Sequence, residues 1–133
     1  MNISYLIDTD WIIHYLHGNK KIVRRLTSFK KEGLAISSIS LAEVYEGVYY
    51  SIDPISSEEG LNNLLKGIST LNVNEGIAKV FGKQRGKLRK EGKLINDFDL
   101  LITSTAIHHN LTVLTNNRKH FERIEGLNII SIH

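Results

Sequence analysis

Tyr5-Leu-Ile-Asp-Thr-Asp10 decides the fold of this chain: an apolar run without polar alternation, closed by acids. Such a run marks a strand buried on both faces, as in a parallel sheet covered by helices. Taken as Ile3 to Ile7, the strand leaves Asp8 at its carboxyl end. Ligand crevices of open parallel sheets lie beyond those ends, so Asp8 is expected at the mouth of a site.

Outward from this strand, helices and strands alternate. Trp11, Ile12, Tyr15 and Leu16 recur at helical spacing, with Asp8 or Thr9 placed to cap and Gly18-Asn19 to stop the helix. Ile22, Val23, Leu26 and Phe29 mark a second helix closed by Gly33, and Leu34-Ala-Ile36 a second strand. A helix carrying Glu43 follows. Ser51 to Ser57, with the only proline at Pro54, reads as a loop before a helix through Leu61, Leu64, Leu65 and Ile68. A strand at Thr70 to Val73 leads into a long helix from Glu75 to about Lys90. Asp97 is placed to cap the next helix, Leu111 to Leu114 is a fourth strand, and Ile129 to Ile132 a last one. The expectation is an α/β fold, three layers deep, with a central parallel sheet.

At 133 residues and 41% hydrophobic content the chain suits a single domain spanning 1–133. It contains no cysteine, which excludes a disulfide framework and thiolate metal sites and suits a reducing cytoplasm. No apolar run is long enough to span a membrane as a helix, and the first residues do not read as a signal peptide. The net charge of +3 is compatible with a polyanionic partner.

Two more acids close apolar runs or open helices: Glu43 in Ile39-Ser-Leu-Ala-Glu43 and Asp99 in Asn96-Asp-Phe-Asp-Leu-Leu-Ile102. Alone, each reads as an N-cap or a solvated charge. Brought together, the repulsion among Asp8, Glu43 and Asp99 favours a hard divalent cation bound through oxygen. Such an ion activates water and stabilises charge on an attacked phosphate, so phosphodiester hydrolysis needs no side-chain nucleophile. None is identifiable here. Asp97 and Asp99 compete, one to cap the helix and one to bind metal, with the Asp-Leu-Leu-Ile register favouring Asp99.

These residues resemble the PIN-domain ribonucleases, and most closely the VapC-type toxins of toxin–antitoxin pairs. The resemblance runs through Tyr5-Leu-Ile-Asp-Thr-Asp10, Ile36-Ser-Ser-Ile-Ser-Leu-Ala-Glu-Val-Tyr-Glu-Gly47, Asp99-Leu-Leu-Ile-Thr-Ser-Thr-Ala106 and Val113-Leu-Thr-Asn-Asn117. It implies a three-layer α/β/α PIN fold in which Asp8, Glu43 and Asp99 bind Mg²⁺ or Mn²⁺ and Asn117 completes the catalytic set. Thr115 and Asp97 stand as a neighbouring hydroxyl and an alternative ligand, and Asp10 is expected beside the ligands. Thr103-Ser104 replaces a usual pair of small alanine-like residues, a departure that hydrates or widens that helix face. His120 stands where relatives often carry an acid, which makes it a candidate for the rim. The implied activity is endonucleolytic cleavage of RNA to a 5′-phosphate and a 3′-hydroxyl; the implied partners are a VapB-type antitoxin and a second copy of the chain.

The basic excess concentrates between Lys79 and Lys93, where Lys83, Arg85 and Arg89 are candidates for RNA backbone contacts. An ordinary solvated helix face accounts for any one of them equally well. Gly82 and Gly86 on the same helix are candidates for a close dimer contact. The aromatics Trp11, Tyr15, Tyr45, Tyr49 and Tyr50 suit either a groove for the antitoxin or the core. Two rival functions stand beside the nuclease: a PIN-like RNA-binding or assembly protein without catalysis, and a phosphoacceptor domain. The second lacks the lysine expected after a later strand, since Leu114 is followed by Thr115-Asn116-Asn117.

Overall fold

The computed structural model describes residues 2–132, so Met1 and His133 lie outside the described residues. In chain order the elements are β1 (Tyr5–Ile7), α1 (Thr9–Leu16), α2 (Lys20–Phe29), a 3-10 turn (Lys30–Glu32), β2 (Leu34–Ser37), α3 (Ser38–Tyr49), α4 (Pro54–Leu65), β3 (Ser69–Leu71), α5 (Glu75–Glu91), α6 (Asp97–His109), β4 (Thr112–Leu114), α7 (Arg118–Phe121) and β5 (Ile129–Ile130). The strands form one sheet in the order β3-β2-β1-β4-β5, every pairing parallel.

The strand sequences show why helices cover both faces. Successive residues of a strand point to opposite sides. Ile7, Ile36 and Leu114 face one buried cluster with Trp11 and Ile12 of α1, Ile22 and Leu26 of α2, Val44 and Val48 of α3, and Leu61 and Leu64 of α4. Their neighbours Leu6, Ala35 and Val113 face the other, with Ile102 and Ala106 of α6 and Phe121 of α7. Helix α5 packs outside against α6, with Leu88, Leu100, Ile95 and Ile124 between. The expected α/β architecture with a central parallel sheet is the one observed.

The strand order reverses direction beside β1: the chain moves through β2 and β3 on one side, then returns to β4 and β5 on the other. This is the switch point at which open parallel sheets form their crevice. Asp8 follows β1 and Thr115 follows β4, so both lie at it. Gly33 lies at the opposite end of the strands, just before β2. It sits at φ +90°, a conformation side chains rarely adopt, and a Cβ there would run into the Asn2 carbonyl. Its own carbonyl accepts from the amides of Ser4 and Tyr5.

Several boundaries differ from the sequence expectation. Helix α4 starts at Pro54, with Asp53 capping it through Ser56 N, so the proline opens the helix instead of sitting in a loop. Proline suits a first helical position because its missing N–H is unpaired there in any case. The cap of α6 is Asn96, whose Oδ1 accepts from Asp99 N; Asp97 is the first residue inside. Asp8 occupies the cap position of α1 but makes no capping bond. The third strand begins one residue earlier and is shorter than expected, and the last begins at Ile129 as expected but ends at Ile130. Trp11 is wholly buried and Tyr45 is partly buried against the core, whereas Tyr49, stacked on Tyr45, and Tyr50 are exposed. A Cβ at Gly82 or Gly86 would meet nothing within 4 Å, so neither glycine is required by packing among the described residues.

Candidate active site

The site grows from the loop after β4. Thr115 is wholly buried, and its hydroxyl donates to Oδ2 of Asp8 at 2.8 Å. It also lies 3.4 Å from Oδ1 of Asp10, whose Oδ2 accepts from the backbone N of Asn116 at 2.9 Å. The Thr115 oxygen in turn accepts from the backbone N of Asn117 at 3.0 Å. This threonine thus binds the ends of β1 and β4 together. The Asp8 side chain, turned to Thr115, is unavailable for capping α1.

Asn116 fastens the same loop from its other side. Its Oδ1 accepts from Trp11 Nε1 at 3.0 Å and from Ile132 N at 2.9 Å, while Ser131 Oγ donates to the Thr115 carbonyl. Buried Trp11 therefore has a partner for its N–H, as its burial demands.

Asp8 is 4% exposed, which is unusual for a carboxylate. Burial, with the charge of Asp10 beside it, pushes its carboxyl up to about 8. Asp99 adds to the rise, while the Thr115 hydroxyl and the Thr9 amide, both donating to Asp8, oppose it. The fold therefore crowds three carboxyl groups, those of Asp8, Asp10 and Asp99, at the switch point. Energetically this is a poor arrangement unless a cation compensates it.

Asp99, at the start of α6, is buried, and its Oδ2 receives Asn96 Nδ2 at 2.8 Å. The same oxygen lies 2.6 Å from His120 Nδ1. Asn117 Nδ2 is 3.1 Å from that nitrogen. Glu43 reaches the site from α3 through Thr9, whose hydroxyl donates to Oε1 at 2.7 Å. Asp97 turns away, pairing at 3.0 Å with Arg85 of α5 on the exposed outer surface. Of the competing aspartates, it is Asp99 whose charge acts on Asp8. Lys83 and Arg89 are exposed on α5.

As a donor set, these carboxylates with the Thr115 hydroxyl and Asn117 amide are hard oxygen ligands of the kind Mg²⁺ and Mn²⁺ take. Among the described residues, no three acidic or imidazole groups stand close enough to hold an ion in this arrangement. Glu43 is tied to Thr9, and Asp99 to Asn96 and His120. Sequence reasoning underweighted His120 and Thr9. Their contacts span 21 and 34 residues, beyond the reach of local periodicity.

A family model of the PIN domain matches residues 5–127. Ribonuclease VapC1 of Haemophilus influenzae strain R2866 is 31% identical over 125 residues, covering 92% of this chain and 93% of that protein. The chain belongs to the VapC family of PIN domains. This PIN domain is also similar to the tRNA(fMet)-specific endonuclease VapC of Shigella flexneri, at 26% identity over 94% of this chain and 95% of that one. Among solved structures it matches VapBC2 of Rickettsia felis bound to a DNA fragment from their promoter, with a TM-score of 0.91 and 29% identity. That match covers 98% of this PIN domain and all of the other chain. No helix among the described residues is long and apolar enough to cross a membrane.

Proposed function

We propose that this VapC-family PIN domain is a Mg²⁺- or Mn²⁺-dependent endoribonuclease and the toxin of a VapBC-type pair, restrained by a VapB-type antitoxin. Membership of the VapC family supports the ribonuclease class. The observation that carries the metal-dependent mechanism is Asp8, buried at the switch point with Asp10 and Asp99 raising its pKa. A bound cation favours ionised Asp8 and so offsets the burial and the neighbouring acidic groups that raise its pKa.

Asp8, Asp99 and Glu43 are the residues to hold the ion, with Asn117 completing the site. The ion supplies acidification of bound water and charge stabilisation on the attacked phosphate. The protein's own contribution is placement. Thr115 fixes Asp8 in one rotamer, Asn96 and His120 orient Asp99, and Thr9 holds Glu43 at the crevice edge. Exposed cations on α5, Lys83 and Arg89, supply phosphate contacts for the RNA backbone that salt weakens.

Purified protein should cleave RNA with Mg²⁺ and stop when EDTA is added. Asp8→Asn and Asp99→Asn should each lose at least about 100-fold in rate while staying folded by circular dichroism. Full cleavage by both variants, or cleavage undiminished by EDTA, overturns the mechanism.

A further inference from the structure

We infer that His120 is a positioning residue for Asp99, holding one carboxylate oxygen so that the other is presented to a divalent cation; this rests on the metal-dependent reading proposed above. Helix α7 is a single turn, and Phe121, wholly buried, pins it against the α6 face of the sheet. His120 precedes that anchor and lies against the first turn of α6. Its Nδ1 is 2.6 Å from Asp99 Oδ2, the contact of a short charge-assisted bond.

Oδ2 takes a second bond from Asn96 Nδ2 at 2.8 Å, while Oδ1 makes no hydrogen bond or ion pair among the described residues. Two donors converging on one oxygen stop the carboxylate from rotating. The group is left with a single free oxygen in a fixed direction. A carboxylate only accepts, so a hydrogen bond from His120 to Asp99 requires the tautomer with its proton on Nδ1. That nitrogen cannot then accept from Asn117 Nδ2, 3.1 Å away. The alternative, an ordinary surface ion pair, predicts no effect on metal affinity.

Mn²⁺ binding to the full chain, measured by electron paramagnetic resonance of the free ion, distinguishes the two. Loss of a group that orients a metal ligand typically weakens binding by about 10- to 100-fold, and His120→Ala is expected in that range. His120→Asn keeps a donor near the position of Nδ1 and should restore most of the affinity, whereas His120→Gln, whose amide falls near Nε2, should not. Thermal melts confirm that each variant is folded. Wild-type affinity or tighter binding in His120→Ala overturns the inference, as does His120→Asn binding as weakly as alanine. A wild-type protein that binds no Mn²⁺ overturns the metal-dependent reading and this inference together. A wild-type protein that binds while His120→Ala binds equally well removes this inference alone.

Discussion

The Thr9 hydroxyl donates to Oε1 of Glu43 across 2.7 Å, joining the first residue of α1 to the middle of α3. Thirty-four positions separate the two in sequence. Thr9 follows Asp8 directly, so one bond relays the position of the β1 terminus to an acid on another element. Glu43 is otherwise a long side chain on a partly exposed helix face, with rotamer freedom to lose when it binds.

Thr9→Val, which keeps shape and removes the donor, should therefore free Glu43. The expected result is a fall in Mn²⁺ affinity and in RNA cleavage of about 10-fold, with Tm little changed. Isothermal titration with Mn²⁺ and an RNA cleavage assay measure the two, and unchanged values in both would show that the bond does not position Glu43.

Asp8 makes stability depend on pH in a direction opposite to that of most aspartates. Below its ordinary value of 3.8 the group is protonated in both folded and unfolded chains and has no effect on their balance. Between there and about 8, the unfolded chain releases its proton while the folded chain retains it, so stability falls as pH rises. Asp8→Asn should accordingly melt near wild type at about pH 4, and at pH 8 be more stable by an amount on the order of a few kcal/mol in EDTA. Melting curves across this range test it, and parallel pH profiles for the two proteins contradict it.

Thr103 lies one turn after Asp99 on α6, wholly buried, with no partner for its hydroxyl. Its neighbours Ser104 and Thr105 return theirs to the carbonyls of Leu100 and Leu101. An unsatisfied buried hydroxyl carries a desolvation cost, so Thr103→Val should raise stability by about 1 kcal/mol. Ser104→Ala, which removes a made bond, should lower it. Chemical denaturation of the two variants checks both signs.

Gly33→Ala combines a left-handed φ with collision against the Asn2 carbonyl. A loss on the order of 1–3 kcal/mol is expected. Its readout is the denaturation midpoint, and a midpoint equal to wild type would show that the start of the β1–β2 pair yields freely.

The sheet and the acidic positions were legible because burial on both faces leaves a plain mark in sequence, an apolar run ending in a polar residue. Asp8 and Thr115 follow strands whose ends could be read directly. Helix phase was harder: Asp97 and Asp99 competed for cap and ligand, the cap proved to be Asn96, and only the Arg85 pairing and the Asn96–Asp99 bonds show which aspartate faces outward. Pro54 read as a breaker although it opens α4, because local composition does not say on which side of a proline the helix lies. The contacts of His120 and Thr9 had no local signal, since they depend on how α7 meets α6 and how α1 meets α3.

Asn116 gives the loop after β4 a mechanical connection. With Trp11 fixed in the core on one side and Ile132 attached on the other, a load on the segment after β5 is delivered to the turn carrying Thr115 and Asn117. Ser131, bonded to the Thr115 carbonyl, shares that load. The segment after β5 is thus two hydrogen bonds removed from Asp8, through Thr115, without itself touching the carboxyl.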